Sequence, residues 1–171
     1  MKTKNLTYDA LVRAYSKDLY RYAYWLCRDA NVVEDIVQET FLRAWRSLES
    51  LKDESAAKAW LITILRRENA RRFERKQLTL VDIDDHEVSD VKSTSTDQEI
   101  ENHLLRRQIE KLEIEYREPL TLQVLGGFSG EEIADILSLN KNTVMTRLFR
   151  ARNQLKEIIV NHQQGKGAQN G

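Results

Sequence analysis

Ser129-Gly130-Glu131-Glu132-Ile133-Ala134-Asp135-Ile136-Leu137-Ser138-Leu139-Asn140-Lys141-Asn142-Thr143-Val144-Met145-Thr146-Arg147-Leu148-Phe149-Arg150-Ala151-Arg152 is the stretch whose reading decides the fold. Ser129 with Glu132 three places on has capping-box spacing and opens a helix over 131–137. Ser138-Leu139-Asn140 is a short turn. A second helix follows from 141 to about 160, with Val144, Leu148, Ala151 and Leu155 on one apolar face. Between 141 and 156 it carries Lys141, Arg147, Arg150, Arg152 and Lys156 and no acid. Two helices, a tight turn and a basic second helix match a helix-turn-helix. With the apolar face turned inward, Asn142, Thr143, Thr146, Arg147 and Arg150 fall on flanking or opposite faces. Short polar side chains there reach phosphates or base edges, and arginine bonds guanine bidentately. A plain helical hairpin also tolerates exposed arginine, but turn length, polarity and charge bias together favour DNA contact.

Upstream of this pair, Leu104, Leu105, Ile109 and Leu112 form one apolar stripe. Pro119-Leu120-Thr121-Leu122-Gln123-Val124-Leu125 forms another, stopped by Gly126-Gly127. Residues 77–99 lose all periodicity and end in Ser93-Thr94-Ser95-Thr96 before helices resume near Ile100, the mark of an extended linker. The first 76 residues read as three helices. Leu11, Tyr15, Leu19, Tyr22 and Leu26 stripe the first, over 7–27. Asn31 with Glu34 offers a cap for the second, which runs through Val33, Ile36, Val37, Thr40, Phe41, Ala44 and Trp45 and fades near Leu48. After a polar break at Leu51-Lys52-Asp53-Glu54, Ser55 caps a third helix from 56 to about 76, carrying Trp60, Leu61, Ile64, Leu65 and Phe73. Trp60 is assigned to the core. The expected architecture is all-α: helical domains at 1–76 and 100–162, a flexible acidic linker at 77–99, and a disordered tail at 163–171.

Composition agrees with this. The chain has 171 residues, 41% hydrophobic and 32% charged, with six Gly and one Pro, the profile of a soluble helical protein. No apolar run approaches a membrane span, and Met1-Lys2-Thr3-Lys4-Asn5 leads into no signal-like segment, so the expected location is cytoplasmic, without membrane insertion. The formal net charge of zero conceals a pattern: 1–76 is net +5, 77–99 net −6 and 100–171 net +1. Basic lobes are the electrostatic footprint of polyanion binding, and the acidic strap repels the same ligand. Cys27 stands alone, excluding an internal disulfide, and no Cys/His cluster suits a metal. His86, His103 and His162 are scattered, phosphate-binding glycine loops are absent, and Asp82, Asp84 and Asp85 lack calcium-loop spacing. Neither an enzyme, a cofactor nor a small-molecule substrate is expected.

Val32-Val33-Glu34-Asp35-Ile36-Val37-Gln38-Glu39-Thr40-Phe41-Leu42-Arg43-Ala44-Trp45 resembles the core-polymerase-binding helix of bacterial sigma factors. Tyr116-Arg117-Glu118-Pro119-Leu120, Gly127-Phe128-Ser129-Gly130-Glu131-Glu132-Ile133-Ala134 and Thr143-Val144-Met145-Thr146-Arg147-Leu148-Phe149-Arg150-Ala151-Arg152 resemble their promoter-upstream domain. The size and the linker point to the extracytoplasmic-function (ECF) group, and the likeness covers roughly residues 8–160.

The resemblance implies partners and roles. Asp35, Gln38, Glu39 and Arg43 would meet a coiled coil of the largest polymerase subunit, with Ile36, Phe41 and Trp45 holding the helix to its neighbours. Lys52, Asp53, Glu54, Ser55 and Lys58 would form the pocket and rim for a flipped base of the minus-ten region. Arg66, Arg67, Arg71, Arg72 and Arg75 would track phosphates. Asn142, Thr143, Met145, Thr146, Arg147, Phe149 and Arg150 would face the minus-thirty-five element. The acidic linker would lie in the RNA exit path, or serve as a solvated spacer. Control by an anti-sigma factor is implied in the same way. The chain departs from the family pattern at Arg67, where Asn is frequent, at Ala57, where an aromatic is, at Asn142, where Gly is, and at Met145, where Lys or Arg is. Two rivals stand beside this reading: a conventional helix-turn-helix regulator that binds duplex DNA without polymerase, and a helical adaptor that binds protein only. Neither needs a basic 66–76 helix beside the Asp35, Gln38 and Glu39 face.

Overall fold

The structure, a computed structural model, describes residues 2–27, 29–79 and 97–169. Among them the regular elements are α1 (Lys2–Cys27), α2 (Ala30–Arg46), α3 (Ala57–Thr79), α4 (Asp97–Glu110), α5 (Ile114–Gly126), α6 (Gly130–Leu137) and α7 (Lys141–Gln169), with 3-10 turns at Leu48–Ser50 and Glu54–Ala56. No strand occurs among the described residues. The chain divides into two compact units, Met1–Ser89 and Asp90–Gly171.

In the first unit α1, α2 and α3 pack on one another around Leu19, Ala23, Val33, Ile36, Val37, Ala44, Leu61, Ile62 and Leu65, all almost wholly buried. The apolar spacing of α2 accounts for this, since Val33, Ile36, Val37, Thr40, Phe41 and Ala44 return to one face at three- and four-residue steps. Thr40 is tolerated in that core because its hydroxyl donates to the Ile36 carbonyl at 2.7 Å. Trp45 is half-buried and meets Tyr8 edge-on at 5.1 Å. Trp60, expected in the core, is partly buried and packs against the cluster of Leu11, Leu48 and Ala57 from its edge.

Several boundaries differ from the sequence reading. Asp29, rather than Asn31, caps α2: its carboxylate accepts from the Asn31 amide at 3.0 Å. Ser55 is likewise the donor and Asp53 the cap, and α3 begins at Ala57 after one 3-10 turn. In both places an Asp two residues before the amide it bonds outcompetes the later polar residue, because a carboxylate is the stronger acceptor. Phe73, expected on the apolar face, is 61% exposed, since α3 runs beyond the body of its unit. Helix α3 continues to Thr79 and α4 begins at Asp97, so both ends of the expected 77–99 linker are helical. Residues 80–96, which hold most of the acidic strap and His86, lie outside the described residues.

The second unit packs α5, α6 and α7 around Leu120, Leu122, Ile133, Ile136, Val144, Leu148 and Ala151, with Ile109 and Leu112 from the segment before them. Pro119 falls inside α5, and the Glu115 carbonyl it cannot serve belongs to an exposed residue open to water. Gly127 ends α5 at φ +66°, donating to the Gln123 and Leu122 carbonyls. The capping box of Ser129 and Glu132 forms in both directions, at 3.2 and 3.1 Å. The tail expected to be disordered from 163 is helical to Gln169. The stretch after the packed part of α7 includes Lys156, Glu157, Gln163, Gln164, Lys166, Ala168 and Gln169, all good helix formers, and no proline interrupts it. No described helix is long and apolar enough to cross a membrane.

Candidate functional site

Three surfaces carry the candidate residues. The first is a cleft of about 340 Å³ between α2 and α3, lined by Asp35, Gln38, Glu39 and Arg43 from one side and Glu68, Arg71, Arg72 and Arg75 from the other. The helical repeat puts Asp35, Gln38, Glu39 and Leu42 on the face of α2 that the core leaves exposed. Ion pairs lace the two helices. Arg72 Nη2 reaches Asp35 Oδ2 at 3.2 Å, Arg71 Nη1 reaches Glu68 Oε1 at 2.9 Å, and Arg43 Nε lies 3.4 Å from Glu39 Oε1. Arg43 also pairs with Glu68 across the helices. Gln38 Nε2 makes a long contact of 3.5 Å to Glu34.

Glu68 is the residue that sequence reading missed. It is the one acidic side chain buried among the described residues, at 7% exposure, and its charge is held by two arginines. The signal for it was faint: an acid three residues before Arg71 in a basic run reads as an ordinary helical pair. Arg71 and Arg72, expected to track phosphates, stand beside the α2 acids in this cleft, whereas Arg66 and Arg67 lie outside its lining. Nearby, Cys27 donates its thiol to Asn69 Oδ1 at 3.2 Å. Burial raises the Cys27 pKa, opposed in part by the Arg72 charge and reinforced by Asp29.

The second surface is the break before α3. Lys52, Asp53, Glu54 and Ser55 are all exposed, and Lys58 reaches Asp18 of α1 at 3.8 Å. Asp53 accepts from the Ser55 hydroxyl at 2.7 Å and the Ser55 amide at 3.0 Å. Those bonds, the hydroxyl first, hold its carboxyl below the ordinary value. The break is therefore a fixed turn with a polar rim.

The third surface is the outer side of α7. Asn142, Met145, Thr146, Phe149 and Arg150 are exposed and Thr143 and Arg147 half-buried, while Val144, Leu148 and Ala151 are wholly inside. Asn140 caps this helix, its side-chain oxygen accepting from the Thr143 amide at 3.0 Å. Lys141 joins the start of α7 to Glu131 of α6 at 2.9 Å. The same hydrogen bond, then the Lys141 charge, lowers the Glu131 pKa. Arg152 is tied to Gln123 of α5. A helix so pinned presents a rigid polar face. No group of three metal-ligating side chains occurs among the described residues.

Comparison with known proteins gives the same division. Residues 11–79 match the family model described as Sigma-70 region 2, and 102–155 match Sigma-70, region 4. The chain is 31% identical over 157 residues to the ECF RNA polymerase sigma factor SigM of Bacillus subtilis, covering 90% of this chain and 95% of that protein. It is 33% identical over 140 residues to the ECF RNA polymerase sigma-E factor of Salmonella typhimurium, covering 74% and 73%. Among solved structures, the sigma factor RpoE of Bartonella quintana, crystallised with the anti-sigma factor NepR, superposes with a TM-score of 0.68 at 28% identity, over 93% of this chain and 98% of that one. Family models over both helical units, and curated relatives matched over most of their length, place the chain among the ECF sigma factors of bacterial RNA polymerase.

Proposed function

We propose that this sigma factor, which directs RNA polymerase to promoters, divides its work by unit. Asp35, Gln38, Glu39 and Arg43 dock on core polymerase. The Lys52, Asp53, Glu54, Ser55 and Lys58 turn, with Arg66, Arg67, Arg71 and Arg72, engages the minus-ten region. Asn142, Thr143, Met145, Thr146, Arg147, Phe149 and Arg150 face the minus-thirty-five element. The observation that carries this reading is the pairing of an exposed acid-and-amide face on α2 with a capped outer face on α7 that carries no acid between 141 and 156. The protein performs no chemistry of its own; RNA synthesis belongs to the polymerase. A conventional regulator leaves the α2 face without a purpose, and the family matches do not favour it. The regulon is one of stress or envelope response, and an anti-sigma factor masks one or both units; the Bartonella relative forms a complex with an anti-sigma factor.

The test mixes the purified chain with sigma-free core polymerase and fragmented genomic DNA and maps transcript 5′ ends. Discrete starts sharing two upstream motifs are expected. Arg150→Ala should reduce promoter use by about 5- to 150-fold while core affinity stays within twofold, because one bidentate guanidinium contact accounts for about 1–3 kcal/mol. Equal losses in both assays refute the division of labour.

A further inference from the structure

The first half of helix α7 carries two large apolar side chains that the core does not use. Met145 is 47% and Phe149 65% exposed, while Val144, Leu148 and Ala151 beside them are wholly buried. Four residues apart, Met145 and Phe149 stand one above the other on the same outer stripe. A thioether offers nothing to a phosphate or to the polar edge of guanine. In the major groove the matching surface for an apolar side chain is the C5 methyl group of thymine.

Met145 is also seated. Gly130 opens α6, and a Cβ built on it would lie 2.8 Å from Met145 Sδ and 3.9 Å from Cγ. The thioether therefore occupies the space that a Cβ at residue 130 would take, and would have to shift if one were there. Methionine has three rotatable side-chain bonds, so a seat of this kind is what makes it readable as a fixed shape. The start of α6 is itself held to α7 by Lys141 and Glu131, so the seat and the residue move together. We propose that Met145, seated on Gly130, is a specificity-determining residue that reads the methyl group of a thymine in the upstream promoter element. The proposal rests on the reading of α7 as the promoter-facing helix.

The test uses holoenzyme assembled from core polymerase and the full chain. A pool of duplexes randomised over the upstream region is enriched for binding, and each thymine of the winning site is then replaced singly by deoxyuridine, which removes only the methyl group. At one position, or two adjacent ones, wild-type holoenzyme should bind about fourfold more weakly, the factor carried by burial of one methyl group. Met145→Ala should bind the thymine and uracil sites equally there. Gly130→Ala, which improves helix propensity while displacing Met145, should also lose the discrimination with core binding unchanged. Insensitivity to uracil at every upstream position overturns the proposal, and so does equal sensitivity in wild-type and Met145→Ala holoenzymes. If holoenzyme forms but no upstream sequence is enriched, the promoter reading of α7 fails, and this proposal with it.

Discussion

Replacing Glu68 with Leu removes a buried charge while nearly preserving volume, and so isolates what the ion pairs across α2 and α3 contribute. Breaking one partner out of a fully buried pair costs about 3–5 kcal/mol. The value here is smaller, for two reasons visible in the geometry. Arg43 is 35% exposed at its side chain and retains Glu39 at 3.4 Å, so losing Glu68 leaves it neither dry nor alone. Arg71 is 46% exposed and returns to water. Leu in turn adds apolar burial. The expected net loss is about 1–2 kcal/mol, equivalent to a fall in Tm of about 5–10 °C for a unit of this size. The three tryptophans, Trp25, Trp45 and Trp60, all lie in the first unit, so their fluorescence in a denaturant titration reports its unfolding selectively. A double-mutant cycle with Arg43→Leu should give a coupling energy of about 1 kcal/mol. A stability change below about 0.3 kcal/mol with a coupling indistinguishable from zero would show that the apolar core alone aligns the two helices, and would refute the role given to Glu68.

Ser138 is the non-glycine residue at positive φ among the described residues, at +55°, and it ends α6. Ser138→Gly should therefore raise the stability of the second unit by about 1 kcal/mol without changing DNA affinity, as read by thermal melting beside a binding titration. Met145→Arg should steepen the dependence of log affinity on log salt by about one, because it adds one cation to the side of α7 proposed to face DNA; an unchanged slope would mean this position is remote from phosphate. The raised Cys27 pKa carries a definite sign. Burial disfavours the thiolate in the folded state, so its contribution is intact below the unfolded thiol pKa and declines as pH rises above it. Native protein at pH 8 should react with a thiol reagent at least tenfold more slowly than denatured protein, and equal rates would show that the thiol is not shielded.

The fold was legible where periodicity and capping chemistry spoke together. The α2 stripe, the α7 stripe and the Ser129–Glu132 box each rest on spacings that the chain states locally, and each appears at those residues. What sequence misassigned was decided by competition between neighbours. Asn31 and Ser55 are both good caps, but in each case an Asp two positions earlier takes the amide first. Stop signals were legible only where a residue enforces them. Gly127 ends α5 because its φ demands it, whereas nothing after Val160 enforces an end, and α7 runs on to Gln169.

The candidate site shows why counting charges along a chain overstates what a surface offers to DNA. Residues 66–76 hold Arg66, Arg67, Arg71, Arg72, Arg75 and Lys76, a run that reads as a strip of phosphate contacts. In three dimensions Arg71 and Arg72 face Glu68 and Asp35, and the cleft they line sets Asp35, Glu39 and Glu68 against Arg43, Arg71, Arg72 and Arg75, nearly neutral in sum. A cation already beside a carboxylate releases fewer DNA counterions than an unpaired one, so the salt dependence of residues 1–76 should be shallower than their net charge of +5 implies. The converse holds for the second unit. The net charge of +1 over 100–171 is almost nothing, but α7 carries no acid between 141 and 156, and Glu131 is engaged by Lys141. On the proposed division of work, local arrangement, which pairs charges along 66–76 and keeps acids out of 141–156, should make the segment with the smaller net charge the better reader of duplex DNA.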